Sequence, residues 1–253
     1  MAPSYSRIAI ITGTTSGIGE ATMRTLIKNG YGVTGIGRTS EKLRALEEEL
    51  GEAFHGVTGD ASDPTDIQQL FDESENHFGR LPDTVIANAG RGMGGSVKDA
   101  DLSEMDEMVN INLKGTTHLL QKAARKLVAL QEIRFPDQPA DIVVIGSTVG
   151  RMISPFSSVY GATKFAAHAL AEGLRREIGP KGVRVTLVEP AIVISGFQSA
   201  AGYNDELIQS FKDKFGPLLQ PDDIANAIQY VLDQPPHVHI SDIMVRSTRQ
   251  DYP

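Results

Sequence analysis

The sequence predicts an α/β fold: a single doubly wound domain over residues 1–253, with an about seven-stranded parallel sheet and helices on both faces. Three observations predict it. Short β-branched runs alternate with longer amphipathic stretches along almost the whole chain, as βαβ units with right-handed crossovers require. With 40% hydrophobic and 22% charged residues, the chain has the composition of a globular protein able to bury a sizeable core. No internal repeat, low-complexity tract or Ser/Gly linker divides it, although its length, at about 150 residues per domain, allows one large or two small domains.

Residues 8–11, Ile-Ala-Ile-Ile, form the first expected strand: a buried, mostly β-branched run closed by Thr12-Gly13. A helix follows over 17–29, with Ile18, Ala21, Met23, Leu26 and Ile27 apolar and Gly30 as its C-cap. Residues 31–36 give the second strand and 40–50 the second helix, capped by Ser40. A weaker strand falls at 53–57. Asp63-Pro64 joins an N-cap to a proline at the first helical position. Residues 84–87 form a strand, and Ser103-Glu104-Met105-Asp106 resembles a capping box for a long helix ending near residue 130. The stretch 131–140, with two prolines, is a loop. A strand at 141–145, a helix over 159–177 and a strand at 183–188 follow. A last helix over 222–232 precedes a final strand at 238–245.

Composition excludes several function classes. A net charge of −8 argues against a nucleic-acid partner, which calls for a basic stripe. The absence of cysteine excludes disulfides, thiolate zinc sites and a cysteine nucleophile. A reducing cytoplasm is the simplest compartment. Residues 8–11 are too short for a signal-peptide core, and no apolar run reaches membrane-spanning length. His237 and His239 lie two apart on the expected last strand but have no carboxylate partner, so no metal is expected. Glu47-Glu48-Glu49 reads as a solvated helix face, and Met93 and Met105 as core or pocket lining.

The first strand runs into Thr12-Gly13-Thr14-Thr15-Ser16-Gly17-Ile18-Gly19 and then a helix. Glycines at such a turn let the backbone approach a pyrophosphate, which the helix N-terminus attracts. The spacing, G-x-x-x-G-x-G, differs from G-x-G-x-x-G. A tight turn without a ligand is the alternative, and the position between first strand and helix favours the phosphate. The second strand ends Gly35-Ile36-Gly37-Arg38-Thr39-Ser40, without the acid that would hold a ribose 2′-hydroxyl. Arg38 can pair instead with a 2′-phosphate through its planar fork. NADP(H) is therefore the expected cofactor; otherwise Arg38 is a solvated surface residue.

Tyr160 and Lys164 lie four apart on a predicted helix and share one face. A free phenol, with a pKa of about 10, exchanges protons poorly near neutrality, and a neighbouring ammonium favours the phenolate. Ser147 follows the end of the strand at 141–145, where open α/β sheets place their sites; a turn hydroxyl is its alternative.

Taken together, these residues resemble the short-chain dehydrogenase/reductase family, over essentially the whole chain. Residues 12–19 match its cofactor loop, Asn88-Ala89-Gly90 its sheet-stabilising motif and Asn112 its helix asparagine. Ser147, Tyr160 and Lys164 match its catalytic set, with thirteen residues from Ser147 to Tyr160. Pro190-Ala191-Ile192-Val193-Ile194-Ser195 is similar to the segment that holds the nicotinamide. The resemblance implies a Rossmann fold and an oxidoreductase that interconverts an aldehyde or ketone and an alcohol. Tyr160 would act as general acid/base, Lys164 would bind ribose and lower the Tyr160 pKa, and Ser147 would hydrogen-bond the substrate oxygen. Asn112 would hold a proton-relaying water. Gly13, Thr15, Ser16, Gly17, Ile18, Gly19, Arg38, Asp60, Ala61, Asn88, Ala89, Gly90, Pro190, Val193 and Ser195 would contact the cofactor, with Asp60 at the adenine.

Two departures stand out: Ala191 replaces the usual glycine, and residues 240–250 lack the common Asp-Gly-Gly ending. That ending resembles the branch with serine and 3-hydroxy-acid dehydrogenases and sulfoacetaldehyde or clavulanic-aldehyde reductases. Residues 195–220 are expected as a mobile substrate lid carrying Phe197, Gln198, Tyr203, Asn204, Phe211 and Phe215, with Phe197 and Tyr203 facing a small polar or amphipathic substrate. Arg91-Gly92-Met93-Gly94-Gly95 is expected as a flexible loop nearby. The family implies a homotetramer or homodimer through helices near 103–130 and 156–179, where Ala162, Ala166, Ala167, Ala169 and Ala171 suit close packing. A catalytically silent NADP(H)-sensing protein is the alternative, disfavoured because Ser147, Tyr160 and Lys164 are all present.

Overall fold

A computed structural model describes residues 4–252, and of Ser199 and Ala200 the backbone alone; the ends of the expected domain, residues 1–3 and 253, lie outside the described residues. Seven strands, β1 (Arg7–Thr12), β2 (Tyr31–Gly37), β3 (Phe54–Thr58), β4 (Thr84–Ala87), β5 (Ala140–Ile145), β6 (Val183–Pro190) and β7 (Asp242–Val245), form one parallel sheet. Their order, β3-β2-β1-β4-β5-β6-β7, reverses direction at the β1–β4 junction. A doubly wound sheet binds its ligand in that crevice, outside the carboxyl ends of the strands.

Helices α1 (Gly17–Lys28), α2 (Ser40–Leu50) and α9 (Pro221–Leu232) cover one face of the sheet. There Met23, Leu26, Leu43, Ile224 and Ile228 pack on Ala9, Ile11 and Val33. Helices α3 (Pro64–Phe78), α5 (Thr116–Arg134) and α6 (Ser158–Ile178) cover the other, with Leu70, Phe71, Leu119, Leu127 and Ala171 against Ile10, Val85 and Val144. Strands covered on both faces need apolar residues throughout rather than alternation, which is why they are legible as continuous runs. The short α4 (Met105–Val109), α7 (Phe197–Ala200) and α8 (Asp205–Phe215) stand at the cleft end. On α6, Ala167 and Ala171 are buried against the body of the domain, whereas Ala162 and Ala169 lie exposed.

A buried charge cluster lies at the opposite, amino-terminal edge of the sheet. Asp141 receives both arms of Arg184 at 2.6 and 2.9 Å and lies 2.7 Å from Arg7, which also donates to Asp83 at 2.8 Å. Arg184 further donates to the carbonyls of Leu232, Gln234, Pro235 and Val238. Every charge in this buried cluster has a partner, as low-dielectric burial demands.

Several boundaries differ from the sequence reading. Thr39, not Ser40, holds the cap position of α2, without a side-chain hydrogen bond. The capping box at Ser103 does not form: Asp101 accepts from Ser103 N–H and caps a 3-10 turn. The long helix that follows is interrupted by a π-helical stretch over Asn110–Gly115. Residues 131–134 belong to α5, because Gln131 donates to Gly182 and Gln138 carbonyls and anchors the extra turn. The last strand is four residues rather than eight. Its expected first half meets β6 largely through side chains, with the His239 ring accepting from Val185 N–H at 3.0 Å and Thr186 Oγ1 donating to the Ile240 carbonyl at 2.6 Å.

Candidate active site

The carboxyl ends of the strands open into one cleft of about 920 Å3. Its floor is the glycine loop. Gly13 and Gly17 take φ values of +76° and +57°, a left-handed region that favours glycine. A Cβ on Gly19 would lie 2.1 Å from the Gly13 carbonyl oxygen, so Gly19 supports the loop from behind rather than lining the cleft. Thr12 Oγ1 accepts from the N–H groups of Asn88 and Ala89 at 3.1 and 3.0 Å, and Asn88 Nδ2 donates to the Thr12 and Gly13 carbonyls at 2.8 and 3.2 Å. These bonds clamp the end of β1 to the end of β4. Ser16 precedes α1 in extended conformation and its side chain caps nothing, so the first-turn amides of α1 face the cleft without a side-chain acceptor, as a pyrophosphate site needs. The loop therefore fits a dinucleotide.

At one end of the cleft stand Arg38, Asp60 and Ala61. The Arg38 side chain is 74% exposed and pairs with Glu107 at 3.1 Å. Glu107 also takes Arg91, which reaches Glu104 as well. Asp60 accepts from the N–H and hydroxyl of Ser62, both at 2.8 Å, so it is at once a cleft residue and the turn residue that opens α3.

At the other end are Ser147, Tyr160 and Lys164, brought together by β5 and α6. Ser147 Oγ donates to the Pro190 carbonyl at 3.4 Å and accepts from Val149 N–H at 3.4 Å. The Tyr160 phenol is buried, and burial holds its pKa above the ordinary tyrosine value; the nearby Ser147 side chain opposes this and neighbouring Tyr203 adds to it. Lys164 Nζ donates to the Ile145 carbonyl at 2.8 Å and lies 5.9 Å from the centre of the Tyr160 ring. Burial lowers its pKa to about 8. The expected depression of the Tyr160 pKa by Lys164 is thus not what this arrangement gives: the ammonium is committed to Ile145, and desolvation governs the phenol.

Asn112 lies in the π-helical stretch, outside the cleft lining. Its side chain accepts from Arg91 N–H at 2.8 Å and donates to the Arg91 carbonyl at 2.8 Å and to Thr163 Oγ1 at 3.0 Å. Thr163 Oγ1 in turn donates to the Tyr160 carbonyl at 2.7 Å. The Asn112 amide is therefore a brace between the 88–91 segment and α6.

Pro190, Ala191, Val193 and Ser195 line the cleft beside the glycine loop. Ala191 is accommodated, its N–H donating to Val245 at 2.9 Å. Gln198 donates to the Val193 carbonyl at 2.5 Å and accepts from Ser195 N–H at 3.0 Å, which pins this segment to α7. Phe197 packs on Tyr160 with ring centres 5.6 Å apart, and Tyr203 also lines the cleft. The loop at 91–95 is packed rather than free: a Cβ on Gly92 would lie 2.4 Å from the Phe197 ring, and Gly94 N–H donates to the Ala201 carbonyl at 3.3 Å.

Sequence reasoning missed a buried group behind Ser147. The His168 ring accepts from Ser147 N–H at 3.2 Å through Nε2, and its Nδ1 lies 3.8 Å from Glu189. Glu189 is fully buried and accepts from Arg151 at 2.5 Å. Burial, with Lys164 and Arg151 nearby, pushes the His168 pKa down to about 4, so the ring is neutral and able to accept. The signal was present: His168 follows Lys164 by one helical turn, and Glu189 precedes Pro190. Two cleft residues from the chain's end were also missed. Gln250 Oε1 accepts from Ile192 N–H at 3.3 Å, and the Tyr252 hydroxyl donates to the Ile153 carbonyl.

Comparison with known proteins agrees with this geometry. The model of the short chain dehydrogenase family matches residues 7–205. An uncharacterized oxidoreductase of Staphylococcus aureus strain MW2 is 32% identical over 241 residues, 95% of this chain and 96% of that protein. Serine dehydrogenase in its closed form complexed with NADP+ superposes with a TM-score of 0.87 at 26% identity, over 97% of this chain and 96% of its own. An alcohol dehydrogenase from the archaeon Thermococcus sibiricus, complexed with 5-hydroxy-NADP, gives 0.81 at 28% identity, over 98% and 99%. The chain belongs to the short-chain dehydrogenase family and is an oxidoreductase of that family. Among the described residues no helix is long and apolar enough to cross a membrane.

Proposed function

We propose that the protein is an NADP(H)-dependent reductase that interconverts a carbonyl compound and its alcohol, with Tyr160 as general acid/base. The observation that carries this reading is that Ser147, Tyr160 and buried Lys164 converge in the same cleft whose far end presents Arg38. NADPH held there would supply the hydride for the carbonyl carbon and leave as NADP+. Tyr160 gives its hydroxyl proton to the carbonyl oxygen, and Ser147 donates to the same oxygen as negative charge develops on it. Lys164 leaves its bond to Ile145 to hold the ribose and to steady the phenolate that forms. The glycine loop and the α1 N-terminus hold the pyrophosphate, Asp60 and Ala61 the adenine, and Arg38 the 2′-phosphate. Asn88, Ala89 and Gly90 form the floor, and Pro190, Val193 and Ser195 flank the nicotinamide. Phe197 and Tyr203, on the 195–220 lid, face the substrate.

Purified protein assayed with NADPH and with NADH against aldehydes, ketones and oxo-acids tests the reading. Carbonyl-dependent oxidation of NADPH in preference to NADH is expected. Equal use of both would remove the role of Arg38, and no oxidation with tight NADPH binding would favour a cofactor sensor.

A further inference from the structure

The substrate end of the cleft is walled by aromatic rings. Beyond Ser147 and Tyr160 it is built from Phe156, Phe197, Tyr203, Phe211, Phe215 and Tyr252. The rings meet in two groups: Phe197 on Tyr160 at 5.6 Å, and Tyr203 on Phe211 at 6.3 Å with Phe211 on Phe215 at 6.4 Å. Leu207 and Val149 add aliphatic surface, while Ser154, Ser157 and Ser210 supply neutral hydroxyls.

Most of the charge is sorted to the other end. Arg38, Arg91 and Glu107 are bound to one another by ion pairs, and Asp60 sits in the turn that follows β3. Among the described lining residues, the charged side chains at the substrate end are Lys164, buried and bonded to the Ile145 carbonyl, and Lys214. Lys214 is 65% exposed, lies 3.8 Å from Asp251 and rests 4.7 Å from the centre of the Phe215 ring. It is therefore a rim residue with a counter-ion of its own.

A short carboxylate-bearing substrate entering this end would leave its charge against aromatic faces, the one interior cation, Lys164, being bonded to the Ile145 carbonyl, a costly burial. An aryl or alkyl group would exchange water for ring contacts and gain from the same surface. We infer that the substrate is a neutral, apolar carbonyl compound, an aryl or medium-chain alkyl ketone or aldehyde, rather than a small hydroxy or amino acid. This narrows the small polar or amphipathic substrate expected from the sequence to its apolar side, and it rests on the reductase reading above. The reaction adds hydride from NADPH to the carbonyl carbon and the Tyr160 proton to its oxygen, giving the alcohol and NADP+; Tyr160 regains a proton from solvent.

The test compares acetophenone and its para-alkyl homologues with pyruvate and malonate semialdehyde, using purified protein and NADPH, with propanal as a small neutral control. The aryl ketones are expected to exceed the carboxylates in kcat/KM by about 100-fold. Phe211→Ser is expected to lower kcat/KM for acetophenone about tenfold more than for propanal. Preference for the carboxylates, or equal losses on acetophenone and propanal in Phe211→Ser, would overturn the inference and leave the reductase standing. No NADPH oxidation with any carbonyl compound would overturn the reductase reading itself, and the inference with it.

Discussion

Lys164→Met should make the protein more stable at neutral pH while removing its activity. Lys164 is 8% exposed, and burial lowers its pKa from 10.5 to about 8. At 1.36 kcal/mol per pH unit, holding the charged form inside the fold costs about 3 kcal/mol. Between pH 8 and 10.5 the unfolded chain keeps a proton that the folded protein has released, so stability rises with pH across that window. Below pH 8 the full cost is present. Methionine removes it but takes the donor away from the Ile145 carbonyl, now bonded at 2.8 Å, which returns about 1–3 kcal/mol. A net gain of about 1 kcal/mol follows at pH 7, equivalent to a Tm about 2–4 °C higher for a chain of this size.

Thermal unfolding of both proteins, followed by circular dichroism from pH 6.5 to 9.5, measures this. The parent Tm should climb above pH 8 relative to the variant, so that the two curves converge. The upper limit stays under pH 10 because the raised pKa of buried Tyr160 makes stability fall once an unfolded tyrosine ionises. A variant less stable than the parent at pH 7, or two parallel curves, would refute the reasoning. A stabilised but inactive variant is the trade expected where function requires a buried charge.

Three further outcomes are expected. Arg38→Asp replaces a charge-assisted bond worth about 1.5–3 kcal/mol with repulsion, so the NADPH Kd should rise at least about tenfold while the NADH Kd changes little; equal changes in calorimetric titrations would remove the 2′-phosphate assignment. His168→Leu takes away the acceptor of Ser147 N–H; kcat should fall about tenfold, for about 1.4 kcal/mol of lost positioning, with NADPH affinity unchanged and His168→Gln restoring part of the rate. Asp141→Ala strands the guanidinium of Arg184, 2.6 Å away, and should cost about 3–5 kcal/mol, read as a Tm lower by roughly 10 °C. An unchanged Tm would mean that the cluster at the amino-terminal edge contributes nothing net.

Much of the fold was legible because the seven strands are sandwiched between helices. Ile8-Ala9-Ile10-Ile11 and the run at 141–145 must be apolar on both sides, so local composition carries the tertiary message. The final strand was over-extended for the same reason: Val238 and Ile240 look like strand residues, but Arg184 and His239 reach across from either side and replace the backbone ladder. The entry to the long helix misled because Asp101 and Ser103 are both good caps, and only the packing of the 3-10 turn chooses between them. In the site, Tyr160 and Lys164 were found through helical spacing and Ser147 through its strand end. His168, Glu189, Gln250 and Tyr252 were not, because each acts through a partner far along the chain. The aromatic wall was half visible, in Phe197, Tyr203, Phe211 and Phe215. Its neutrality was not, since that depends on where Arg38, Arg91, Glu107 and Lys214 place their charges in space.

The central claim is that Tyr160 moves the proton in carbonyl reduction. Tyr160→Phe keeps the ring that packs on Phe197 and removes only the hydroxyl. NADPH oxidation by this variant, measured beside the parent on a carbonyl compound the parent reduces, with NADPH affinity determined for both, is the decisive comparison. Lost turnover with NADPH binding and Tm preserved is the predicted result. Turnover at the parent's rate would contradict the account.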